Sequence, residues 1–207
     1  MPVVCINECI LTHERIMARP KSEDKRKGIL SAAAEVIAKK GLGAPTSAIS
    51  HAAGVAEGTV FTYFATKDEL VNALYREIKQ ELAEAMMEDF PRGKSVRQRL
   101  QHVWNQYVSW GVANGVHHRA LRQIEVWSGL TEESKAAGMV PFAEIQKMTT
   151  EAAARGLFEG LPQAYFGAAM QALAETTMEF VRRDPKRGEA YRTAGFRMLC
   201  AGVKFGR

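Results

Sequence analysis

Residues 46–70 read TSAISHAAGVAEGTVFTYFATKDEL, and this stretch decides the fold. A helix-turn-helix needs two short helices that cross steeply through a tight turn. Ala52 and Ala53 are small enough for close approach, Gly54 can take the positive φ the turn requires, and Val55 follows as an apolar plug. Ile49, Val60 and Phe64 supply the core between the helices, which leaves Gly58, Thr59, Thr62 and Tyr63 on the outer side. The first helix is expected from Thr46, read as its cap after Pro45, to Ala53, and the second over 57–64.

Working outward, a preceding helix is expected over 23–40. Ser22 is read as its N-cap, Glu23 and Asp24 suit its positive end, and Gly41 closes it. Ile29, Ala33, Val36 and Ile37 form its buried stripe. Downstream, Thr66-Lys67-Asp68-Glu69 fits a capping box. Val71, Leu74, Tyr75, Ile78, Leu82 and Met86 then keep one face of a long helix. Breaks at Pro91–Lys94, Asn114-Gly115, Gly160–Pro162 and Arg183–Lys186 divide the rest into a helix from 96, one through Leu121, Ile124 and Trp127, a short segment near 131–138, and helices over 140–158, 163–183 and 187–204. The apolar spacing follows 3.6 throughout, so the fold class is all-α with about nine helices. Residues 17–65 are expected to form a three-helix domain and 66–207 a larger helical one. Met17 opens a second plausible start, MARPKSEDK, so residues 1–16 are expected to be a dispensable extension.

The chain has 207 residues, 46% apolar and 25% charged, a balance typical of globular proteins. It contains no uninterrupted apolar run of about 18 residues, so no membrane partner is expected. Cys5, Cys9 and Cys200 show neither a disulfide nor a zinc pattern, and a reducing cytoplasm is the simplest setting. Net charge is +5; residues 19–67 hold eight Lys/Arg against four Asp/Glu, while the rest hold 20 against 19. Such a basic segment is the footprint expected for phosphate backbones, with a solvated basic surface as the plain alternative. A Glu-x-x-His pair, a His-Glu-x-x-His helix, a Gly-x-Ser-x-Gly elbow and phosphate-binding glycine loops are all missing. Neither enzyme activity nor a cofactor or metal is therefore expected. His117 and His118 point about 100° apart on a helix, which suits solvated or hydrogen-bonded roles better than joint ligation.

The segment 46–70, with the helix before it, resembles the DNA-binding domain of the TetR family of bacterial repressors. The Ala-Gly-Val turn, Thr59-Val60-Phe61-x-Tyr63-Phe64 and Lys67-Asp68-Glu69-Leu70 carry the likeness. MARPKSEDK, Trp104-Asn105-x-Tyr107-x-Ser109-Trp110-Gly111 and ALAETTMEF at 172–180 are similar to members that regulate multidrug efflux. The resemblance implies a homodimer on double-stranded operator DNA, released by a small-molecule effector. It also implies that Thr46 and Ser47 meet phosphate at a helix N-terminus, that Gly58 allows close approach to the groove, and that Thr59 and Thr62 face it. Phe61 and Tyr63 would contact the DNA backbone, Lys67 a phosphate, and Arg19 and Lys21 an adjacent groove from a flexible arm. In the alternative reading, Phe61 and Tyr63 are core aromatics and Lys67 a solvated cation.

In the larger domain, Tyr75, Trp104, Tyr107, Trp110, Phe166, Met170 and Met178 are ordinary core by periodicity alone. The resemblance instead implies that such residues line a cavity for flat, apolar, often cationic compounds. Gly167 and Met170 stand where efflux-regulating members carry an acidic residue and a phenylalanine. Ala168, Ala172, Phe180, Gly195, Met198 and Leu199 are expected at the dimer interface, with packing inside one chain as the alternative. The rival for the whole chain is an all-α protein-interaction adaptor without DNA binding, which leaves the basic segment 19–67 without a purpose.

Overall fold

The computed structural model describes residues 19–158 and 160–203, with side chains from residue 23 onward. The expected extension at 1–16 lies outside the described residues. Ten α-helices and two single 3-10 turns make up the chain among those residues. In order they are α1 (Arg19–Lys40), α2 (Thr46–Ala52), α3 (Glu57–Tyr63), α4 (Lys67–Met87), α5 (Val96–Ala113), α6 (Gly115–Glu125), α7 (Glu132–Met139), α8 (Ala143–Ala154), α9 (Gln163–Arg183) and α10 (Gly188–Ala201).

Several boundaries differ from expectation. Helix α1 begins at Arg19 and runs through Ser22, so Ser22 is not its cap. Pro20 tolerates the first turn because no intrahelical bond would use its missing N–H there. Thr46 is likewise the first residue of α2, and Pro45 holds the capping position without a side-chain bond. At α4 the Thr66 hydroxyl accepts from the Glu69 amide at 3.0 Å as expected, but the Glu69 carboxylate reaches the Ala65 amide at 2.9 Å. Pro141 turns Val140–Phe142 into a 3-10 segment, and α8 ends at Ala154. Gly156 at φ +72 then lets Leu157 donate back to the Ala152 carbonyl at 3.1 Å, closing the helix.

The anticipated apolar stripes are buried: Ile29, Ala33, Val36 and Ile37 on α1, and Val71 through Met86 on α4. Helix α4 runs through the middle of the fold, against α1, α5, α6 and α7. Helices α5, α9 and α10 pack together beside it. Trp104, fully buried on α5, donates its indole N–H to the Arg192 carbonyl at 3.0 Å, and its ring lies against Gly195 of α10. The α6–α7 loop is fixed by Asn72, whose amide donates to the Gly129 carbonyl and accepts from the Thr131 amide, each at 3.0 Å. A buried side-chain amide satisfied on both ends gives the loop one position rather than several.

Candidate functional site

Helix α2 packs on α1 and α3 packs on α2, with Ile49, Val60 and Phe64 all buried as expected. Gly54 adopts φ +65, and the Val55 amide donates to the Ser50 carbonyl at 3.0 Å, which closes α2 and turns the chain into α3. The same geometry decides what α3 shows to solvent. Gly58, Phe61 and Thr62 are exposed, Phe61 at 46% despite its ring, while Thr59 and Tyr63 are partly covered. Around Gly58 an added Cβ would meet nothing within 4 Å. The Thr62 hydroxyl donates to the Gly58 carbonyl at 3.0 Å, so in this state it serves its own helix. Ser47 is exposed and Thr46 partly so, both in the first turn of α2, where the backbone amides have no helical acceptor.

Two expectations at this face are corrected. The Lys67 ammonium donates to the Leu42 carbonyl in the α1–α2 turn. The bond ties the α4 N-terminus to the α1–α2 turn, so the side chain is neither the solvated cation of the alternative reading nor wholly free for a phosphate. Arg19 and Lys21 belong by backbone to the first turn of α1, so a loose arm does not start there. Their side chains lie outside the described residues.

A second site lies in the larger domain: a cavity of about 250 Å³ bounded by α4, α5, α6, α9 and the α7–α8 segment. Of the residues anticipated from the sequence, Tyr107, Phe166 and Met170 line it. Tyr75, Trp104, Trp110 and Met178 do not. Tyr75 packs against Gly138, which lets α7 approach its ring. Trp104 holds α10, Met178 fills the space over Gly111, and Trp110 meets the His118 ring edge-on with centroids 6.3 Å apart. All four face inward as periodicity requires, but a neighbouring helix already occupies the space before them.

The further lining residues include apolar ones from the stripes of α4, α5 and α6, two charged groups, and a wall from α7 onward. Lys79 and Glu125 face the cavity, with Phe142 and Ile145 opposite. Burial pushes the Lys79 ammonium below the usual lysine value, an effect the Glu125 charge opposes. The ammonium rests over the Phe142 ring, 4.5 Å from its centroid. Arg122 bridges two carboxylates, Glu125 at 2.6 Å and Glu175 at 2.5 Å, thereby joining α6 to α9. Gln171 also donates to Glu125 at 3.2 Å. Burial, with Glu125 and Glu175 nearby, raises the Tyr107 phenol, which stays neutral. The signal for Lys79 was present in the sequence: it stands four residues after Tyr75 and three before Leu82, a cation on the apolar stripe.

The residues expected to pair two subunits divide as well. Ala168, Ala172, Phe180 and Met198 are exposed, and with Tyr165 they leave a largely apolar face on α9 and α10. Gly195 and Leu199 are buried within the chain, so for these two the intramolecular alternative holds. A Cβ on Gly195 would lie 2.6 Å from both the Thr177 hydroxyl and the Trp104 ring. The two histidines also separate, since His117 is paired to Glu81 at 2.8 Å while His118 is buried.

Residues 29–74 match the family described as bacterial regulatory proteins, tetR family. The fatty acid metabolism regulator protein of Bacillus subtilis is 33% identical over 94 residues, which is 45% of this chain and 47% of that protein. The chain thus aligns with about half the length of this curated relative. Among solved structures, a TetR family transcription regulator from Marinobacter aquaeolei superposes with a TM-score of 0.81 at 20% identity, covering 89% of this chain and 98% of that one. FadR of Bacillus subtilis, solved with stearoyl-CoA, superposes with a TM-score of 0.65 at 22% identity, covering 86% and 99%. The chain therefore shares the fold of these regulators, an N-terminal helix-turn-helix domain followed by a helical C-terminal domain, with the family match confined to residues 29–74. Among the described residues, no helix is long and apolar enough to cross a membrane.

Proposed function

We propose that the protein is a ligand-responsive transcriptional repressor that binds a palindromic operator as a homodimer. The observation that carries this reading is the α3 surface. Gly58, Phe61 and Thr62 stand in solvent while Val60 and Phe64 anchor the same helix from behind. An exposed aromatic ring beside an open glycine is poorly suited to water alone and well suited to a groove, where α3 approaches closely through Gly58. Thr59 and Thr62 then face base edges, Tyr63 and Phe61 the sugar-phosphate backbone, and the first turn of α2 a phosphate. The DNA-reading part spans 17–65, and 66–207 serves sensing and pairing.

The apolar face of α9 and α10 gives a second copy its seat, with Phe180 and Met198 on Ala168 and Ala172 of the mate or beside them. Two-fold pairing then sets two α3 helices for half-sites about 34 Å apart, or a multiple of that distance. The cavity takes a small, largely apolar effector. Helices α4 and α6 both line it and both pack on α1. An effector that shifts them changes the separation of the two reading heads, and a coupling of about 1–3 kcal/mol is enough to alter operator affinity many-fold. The adaptor reading is not favoured, because residues 29–74 match a family of bacterial regulatory proteins and the basic segment 19–67 would be left without a purpose.

The test is a gel shift at several salt concentrations on DNA flanking the protein's own gene. A sequence-dependent shift that weakens steeply with salt is expected. Indifference to sequence, or no shift at low salt, refutes the reading.

A further inference from the structure

We propose that the cavity selects an anionic amphiphile, with an apolar body among Leu82, Met86, Phe166 and Met170 and a single carboxylate ion-paired to Lys79. This rests on the reading of the cavity as an effector site and specifies the chemistry of that effector. The case starts from an imbalance between the two charges that face the cavity. Glu125 already has an ion pair with the Arg122 guanidinium and a hydrogen bond from Gln171, both on its Oε2. Lys79 has no hydrogen bond or ion pair among the described residues; it has only the face of Phe142 and the charge of Glu125 acting through space. Lys79 is partly covered; an ammonium partly withdrawn from water without a counter-ion carries a cost, which an entering carboxylate relieves with a charge-assisted bond.

A cationic ligand, the type implied by the resemblance to efflux regulators, meets the opposite situation. It must share Glu125 with Arg122 while Lys79 repels it. A neutral ligand fills the apolar volume but leaves Lys79 as it was. The spacing of the lining residues also suits a molecule that is charged at one end only. Leu82 and Met86 continue along α4 from Lys79 by steps of three and four, so an apolar chain leaving the ammonium runs along one helix face.

Calorimetric titration of the full-length protein with decanoate, 1-decanol and decyltrimethylammonium, each kept monomeric, tests this. Decanoate is expected to bind at least about tenfold more tightly than either of the others. Lys79→Met is expected to abolish that preference while retaining decanol binding, which also shows that the variant is folded. Equal or tighter binding of decanol or of the ammonium compound to the unaltered protein overturns the proposal, as does a decanoate preference that survives Lys79→Met, or no uptake of decanoate. A separate readout keeps the two readings apart. Decanoate that binds at Lys79 without changing operator affinity sinks the sensor reading and leaves the ligand class standing. A winning cation that releases operator does the reverse.

Discussion

The side-chain amide of Gln123 donates to the carbonyl of Ile37 at 3.0 Å. Gln123 sits on α6 two residues before Glu125, which faces the cavity, and Ile37 sits in the last turn of α1, on which α2 packs. One hydrogen bond thus connects the helix that walls the proposed effector site to the helix that supports the proposed DNA-reading head. Gln123→Ala is expected to keep operator affinity close to normal while shrinking the change in that affinity produced by saturating decanoate. Binding isotherms on operator DNA, with and without decanoate, read both quantities. An undiminished response rules out this contact as a coupling route.

Gly58→Leu separates folding from reading. The free protein has open space at this position, and leucine is a better helix former than glycine by somewhat under 1 kcal/mol. Thermal stability is expected to hold or rise slightly. Operator affinity is expected to fall by about tenfold or more, because the added side chain occupies the groove-facing approach. Retained affinity refutes the assignment of α3 as the reading helix.

Gly195→Ala tests the seat of α10. Its methyl group collides with the Trp104 indole, which is fully buried and hydrogen-bonded and therefore has nowhere to go. Overpacking of this kind costs about 1–3 kcal/mol, measurable by urea unfolding. A neutral result is expected only if Gly195 faced a partner subunit, as first anticipated.

The His117–Glu81 contact predicts a pH dependence of known sign. The hydrogen bond to Glu81 is the main reason the folded-state imidazole titrates above its ordinary value of 6.5. Its stabilisation is therefore fully present below that value and is lost as pH rises through the higher folded-state value. Both side chains are partly exposed, which limits the contribution to about 0.2–1 kcal/mol. His117→Gln is expected to lower Tm at about pH 5.5 and to change it little at about pH 8. A larger effect at the higher pH contradicts this account.

The helix class, the capped start of α4, the glycine turn after α2 and the core stripes were legible because each is a local property. Periodicity shows which way Tyr75 and Trp104 point, but not whether another helix has already taken the space they face. That depends on Gly138 and Gly195, residues 63 and 91 positions further along. The opposite wall of the cavity, built from Phe142 and Ile145, is a tertiary placement with no local marker. Lys79 carries a readable signal, a charge on an apolar stripe, whereas Tyr75 on the same helix marks core and not the cavity. At the proposed DNA-reading face, residue types show which side chains of α3 lie outward, but only the fold shows that Lys67 is engaged with Leu42.

Helices α2 and α3 are seven residues each, well below the roughly 12–15 at which an isolated helix persists in water. The rigidity of this pair, proposed to inspect DNA, is therefore borrowed from α1, on which α2 packs, and from the Lys67 bond that ties the start of α4 to the α1–α2 turn. A disturbance of those two supports softens the head as well as tilting it, so loss of grip on the operator can begin as partial melting. Amide exchange should quicken first in α2 and α3, ahead of the scaffold that holds them.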